Sequence, residues 1–121
     1  MRDITDGMEA GEANATLAFE MYEYRLRKYI GAYAAAMNGV DVIVFTAGVG
    51  ENSVVVREKV CENLSYLGVE IDPELNKIRS GEPRRISSAN SKVEVLVVPT
   101  NEELVIARDT NRIVQEAKQA K

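Results

Sequence analysis

Val40-Asp41-Val42-Ile43-Val44-Phe45-Thr46-Ala47-Gly48-Val49-Gly50-Glu51-Asn52-Ser53 is the stretch on which the reading of this chain turns. Val42 to Phe45 is an unbroken β-branched and aromatic run, the pattern of a strand covered on both faces, as parallel strands are. A strand over 41–46 is expected, then a turn through two glycines, then a helix over 54–67 that stops at Gly68. Strand, short glycine turn and helix in succession are the building unit of α/β folds.

Downstream, Val69-Glu70-Ile71-Asp72-Pro73 reads as a short extended piece entering a brief helix, because Pro fits the first helical position. Residues 79–91 read as loop, with a short edge strand at Arg85–Ser87, and residues 92–98 as a second buried strand. Pro99 ends that strand, and a helix over 101–118 carries the stripe Ile106, Ala107, Thr110, Ile113, Val114 and Ala117. Upstream, a short helical piece ends near Gly11. A long helix over 12–37 follows, with the stripe Ala18, Tyr22, Leu26, Tyr29, Ile30, Tyr33 and Met37, and Asn38-Gly39 closes it. The order predicts an α/β fold with parallel strands covered by helices. Two long strands make a sheet too thin to stand alone, so the sheet is expected to be incomplete in this chain. No repeats or low-complexity linkers interrupt it.

Composition narrows the function. The 121 residues carry 15 Lys+Arg against 19 Asp+Glu, a formal charge of −4, which argues against nucleic-acid or anionic-membrane binding. No apolar run approaches the length of a membrane span, and the start has no apolar leader pattern. One Cys cannot form an internal disulfide, so a reducing, cytoplasmic setting is expected. With no His, the commonest general base and metal ligand is absent, and any catalysis must rest on charge neutralisation and positioning.

Two strand ends carry candidate chemistry. Gly48-Val49-Gly50-Glu51-Asn52 lets backbone approach an anion, although two glycines also simply make a tight turn. Ser53 stands where a dinucleotide fingerprint needs its third glycine, and Gly-Lys-Ser/Thr is missing, so neither common phosphate-loop motif is met. At the other strand end, Thr100 and Glu103 fit a capping box, which leaves Glu102 free to hold hydrated Mg²⁺ or to complement the helix dipole. Arg57-Glu58-Lys59 reads as a solvated helix face, Arg84-Arg85 as a loop charge pair ahead of an anion contact, Arg2-Asp3 as solvated end charges, and Cys61 as a core residue.

Taken together, Val44 to Ser53, Val56-Arg57-Glu58, Leu67-Gly68-Val69 and Val97 to Thr110 resemble the acetate kinase (acetokinase) family, as do Arg2-Asp3-Ile4 and Tyr29 to Met37. The resemblance runs from Met1 to about Thr110. It implies a ribonuclease H-like, actin-like ATPase domain, of which residues 1–121 are the C-terminal part. It implies reversible phosphoryl transfer from ATP to acetate with Mg²⁺, giving acetyl phosphate and ADP, in a homodimer. It assigns nucleotide contact to Arg2, Gly48, Val49, Gly50, Glu51 and Asn52, and metal binding to Glu102. Ala47 stands where the family usually has glycine, a change that is tolerated if φ there is negative. The aspartate before Arg2 in the family's Asp-x-Arg motif, the catalytic histidine, the substrate arginines, the metal-binding asparagine and the acyl-binding half have no counterpart in the chain. As a separate polypeptide it is therefore expected to be inactive. Alternatives are a propionate kinase segment, or a non-catalytic nucleotide-binding or dimer-forming fragment.

Overall fold

A computed structural model describes residues 1–119, without the side chain of Glu102. In chain order the elements are α1 (Arg2–Glu9), α2 (Ala13–Ala36), β1 (Val42–Phe45), α3 (Ala47–Asn52), α4 (Val54–Glu62), a 3₁₀ turn (Ser65–Leu67), α5 (Pro73–Lys77), β2 (Arg84–Arg85), β3 (Glu94–Val97) and α6 (Glu102–Gln119).

The sheet has the order β1-β3-β2. β1 runs parallel to β3, with Ile43 opposite Val95 and Phe45 opposite Val97. β2 is antiparallel to β3, and an isolated bridge between Ile71 and Ser87 extends that side. Ile43, Phe45, Val95 and Val97 turn one face of the sheet inward against Val56, Val60, Cys61 and Leu64, with Phe19, Val69, Ile86 and Val93 completing the core.

The described residues leave the other face of β1 largely open, which corrects the reading of β1 as a doubly covered strand: Val42 and Val44 are 43% and 50% exposed, while Leu96 beside them on β3 is half-buried. The alternation along β1 is that of a half-covered strand, and its continuous apolar sequence leaves a second apolar face that the described residues do not bury.

Helix ends follow local chemistry. The α2 helix closes at Met37, where Asn38 N–H donates to the Ala35 carbonyl and Gly39 N–H to the Ala34 carbonyl at 2.8 Å. This paired arrangement satisfies the last carbonyls and places Asn38 at φ 59°. The core face of α2 is Phe19, Tyr22, Leu26, Ile30 and Ala34; Tyr29, Tyr33 and Met37 of the expected stripe point outward instead. Steps of four residues drift around a helix with 3.6 residues per turn, so one row cannot stay on one contact line.

The helix expected over 54–67 ends at Glu62, and Leu64 drops into the core before the 3₁₀ turn at Ser65–Leu67. On α5, Asp72 caps by accepting from Glu74 N–H and Leu75 N–H, with Pro73 at the first helical position. On α6 every described side chain is exposed, including Ile106, Ile113 and Val114 of the expected stripe.

Candidate functional site

The residues after β1 form a helical turn rather than the open glycine turn expected from the sequence. α3 spans Ala47–Asn52, and Ser53 separates it from α4 while capping α4 through Val56 N–H. Two glycines disfavour helix locally, and tertiary contacts impose it here. A Cβ on Gly50 would sit 3.1 Å from the Phe45 carbonyl carbon, so glycine there lets α3 fold back against its own strand. Ala47 adopts φ 57°, not the negative value that would make the loss of glycine harmless. An L-residue in that region carries roughly 1–2 kcal/mol of strain.

Arg57 is the largest correction to the sequence reading. It is 1% exposed rather than solvated. Its Nε–H donates to Asn76 Oδ1 and one Nη to the Asn76 carbonyl, both at 2.7 Å, while the other Nη donates to the carbonyls of Gly50 and Glu51, each at 2.9 Å. Asn76 in turn donates to the Val54 carbonyl. One guanidinium therefore ties the last carbonyls of α3 to α5. Burial lowers its proton affinity, with the charge of Arg84 adding a smaller push in the same direction. The signal was present in spacing: 57, 60, 61 and 64 follow the three-four rhythm of a buried face, with an arginine in the first place.

The second strand end is bound to the first. Thr46 Oγ1 donates to the Val98 carbonyl, and the Thr100 N–H and hydroxyl both donate to Glu51 Oε1, at 2.8 and 3.0 Å. Thr100 is thus not the cap of α6. Asn101 takes that place and accepts from Leu104 N–H at 2.9 Å, which dissolves the Thr100–Glu103 capping box. The two Thr100 donors hold the Glu51 carboxyl below its ordinary range. Cys61 is buried, and desolvation pushes its thiol up to about 12 against an opposing pull from Arg57, so it is an inert core residue.

A cavity of about 470 Å³ lies where α1 meets α3. Its walls include Arg2 and Thr5 from α1, Gly48, Val49 and Asn52 from α3, and Arg79 beyond α5. A Cβ at Gly48 would meet nothing within 4 Å, so that backbone is open, and Asn52 Nδ2 donates back to the Gly48 carbonyl at 2.8 Å. Of the candidate residues, Arg2, Gly48, Val49 and Asn52 come together on this cavity. Gly50 faces Phe45, and Glu51 turns to a neighbouring cavity of about 380 Å³ with Gly48, Thr100, Asn101 and Glu103. Arg79 is a wall residue that the sequence reading did not single out.

Glu102 opens α6, but its side chain lies outside what the structure describes. Among the described residues no three acidic, His or Cys side chains gather as a metal site. The donors around the second cavity are all oxygen. That set suits Mg²⁺, which takes one or two carboxylates and completes its shell with water and phosphate.

The model of the acetokinase family matches residues 1–108. The chain is 64% identical to the acetate kinase of Pseudothermotoga lettingae over 115 residues, 95% of this chain and 28% of that protein. The solved structure of Porphyromonas gingivalis acetate kinase superposes with a TM-score of 0.79 at 52% identity, over 93% of this chain and 28% of the other. A propionate kinase from Francisella tularensis superposes at 0.76 and 36% identity, covering 88% and 27%. The chain spans about 28% of the length of the curated relatives it matches.

Proposed function

The chain belongs to the acetokinase family, and on that premise we propose that it forms the nucleotide-side wall of a kinase that transfers the γ-phosphoryl group of ATP to acetate. The observation that carries this reading is the cavity that sets Arg2 opposite Gly48, Val49 and Asn52, residues far apart in sequence. An arginine sharing a cavity with the open backbone at Gly48 suits a phosphate chain, since phosphoryl transfer relies on positioning and charge stabilisation. Arg2 neutralises phosphate oxygens, the open backbone at Gly48 admits the nucleotide, and Val49 offers it an apolar side. Asn52 is held in place by the Gly48 carbonyl. Gly50 and Glu51 act as positioning residues, the first by letting α3 pack on β1 and the second by joining the strand ends through Thr100. Glu102, with Glu103 beside it, would hold Mg²⁺, which supplies positive charge to the phosphates.

The acceptor is acetate in this reading, and the structural likeness to a propionate kinase keeps propionate as the alternative. The histidine that the family uses is not among these residues, so the chain alone carries no turnover. Calorimetric titration of the chain with ADP and Mg²⁺ tests the proposal. Saturable binding that Gly48→Val and Arg2→Gln each weaken about tenfold, with folding intact, supports it. Saturable binding indifferent to both substitutions overturns the site, and no binding by a folded sample favours the dimer-forming reading. Acetyl phosphate formation by the isolated chain overturns its inactivity.

A further inference from the structure

A separate cavity of about 350 Å³ opens on the far side of Asn52, with Arg57 at its floor and Arg79, Ser80 and Arg84 around it. Three arginines line it, and Arg84 lies near enough to Arg57 for their charges to interact. None of the ion pairs among the described residues involves any of them. Arg57 spends its donors on carbonyls, which orient it without cancelling its charge. Arg84 gives one Nη–H to the Ser80 carbonyl at 3.1 Å, while its Nε is buried with no partner. Among the described residues one carboxylate lines the cavity, Glu51; it accepts two hydrogen bonds from Thr100 on Oε1 and lies near enough to Arg84 for the two charges to act on each other.

A buried donor without a partner and three positive charges against one described carboxylate leave the cavity with an excess of positive charge, a site short of an anion. Arg84 is near enough to Arg57 to disfavour its charged form, a repulsion that an anion between them would reverse. Planar forks reaching in from two chain segments suit a tetrahedral, multiply charged oxyanion better than a singly charged carboxylate. We propose that Arg79 and Arg84, over the floor set by Arg57, bind a phosphate-class oxyanion in this cavity. Asn52 and Arg79 also line the larger cavity, so the group can be a phosphate of the nucleotide or free phosphate. The site itself does not depend on the nucleotide reading.

Titration of the full chain with inorganic phosphate at low ionic strength tests the site, with each variant's fold checked by circular dichroism. Saturable binding is expected, weakened about tenfold by Arg79→Gln and by Arg84→Gln and unchanged by Arg108→Gln on exposed α6. Arg84→Lys, which keeps the charge and loses the fork, falls between wild type and Arg84→Gln. Absence of saturable binding, indifference to both Gln variants, or acetate bound as tightly as phosphate overturns the proposal. Competition between ADP and phosphate assigns the site to the nucleotide's own phosphates. Independent binding of the two assigns it to free phosphate, and either result upholds the site.

Discussion

After β1 the chain enters α3 and α4, where Val56, Arg57, Val60 and Cys61 are buried; after β3 it enters α6, where every described side chain is exposed. Both passages share one local grammar of apolar strand, polar cap and amphipathic repeat. They differ in what faces them. The first has Asn76 to receive Arg57 and the inner faces of β1 and β3 to receive its valines, whereas no described side chain of the second is buried. Among the described residues the side-chain polar contacts of α6 are local: the Asn101 cap and the pairs of Arg112 with Asp109 and Glu116, both at 3.4 Å. Such terms are worth a few tenths of a kcal/mol each, with about 1 for the cap, and an isolated helix of this length is marginal on them.

The contrast breaks most sharply at Arg57. Arg57→Ala strands two carbonyls of α3 and the side chain of Asn76, and is expected to cost about 3–5 kcal/mol in the urea midpoint. Arg112→Ala on α6 stays within about 0.5 kcal/mol in the same measurement. Equal losses at the two arginines would erase the distinction.

Ala47→Gly works in the opposite direction. Releasing the φ of 57° is expected to stabilise the chain by roughly 1 kcal/mol, less the greater unfolded-state freedom of glycine. A loss of stability would mean that Ala47 is not strained. Next in size is the Glu51–Thr100 link. The folded carboxyl titrates below its ordinary value, so the link's contribution is present above the unfolded pKa and fades as pH falls through the folded one. Carboxyl chemical shifts of Glu51 followed through acid should show that low midpoint. In Thr100→Val it should rise only partly, because the backbone donor remains. Smallest of all, Ile113→Ser on α6 should leave stability within about 0.5 kcal/mol. A loss the size of a core substitution would place α6 against the sheet.

Much of the fold could be read from periodicity and punctuation. Apolar runs marked Val42–Phe45 and Glu94–Val97, Asn38-Gly39 marked the end of α2, and Asp72-Pro73 marked the start of α5. What escaped depended on contacts distant in sequence. Arg57 opens the charged run Arg57-Glu58-Lys59 and reads as solvent-facing until Asn76 is brought beside it. Thr100 reads as a cap until Glu51 claims it. The helical form of Ala47–Asn52 is invisible because its glycines speak against helix, and only the approach of Gly50 to Phe45 decides it. For the candidate site, Gly48, Val49 and Asn52 could be proposed from their motif, while Arg79 could not, since an arginine in a loop has no pattern to mark it.

The mixed pairing of β3 also orders events in time. On its antiparallel side, Val95 N–H meets the Ser87 hydroxyl across 8 positions; on its parallel side, Thr46 meets Val98 across 52. Closing the longer loop costs about 1.7 kcal/mol more in chain entropy. The β2–β3 half can therefore assemble while β1 is still searching, and β1 docks last. Ile86→Val should then slow folding while Ile43→Val chiefly speeds unfolding. Stopped-flow kinetics with those effects interchanged would reverse the order of assembly.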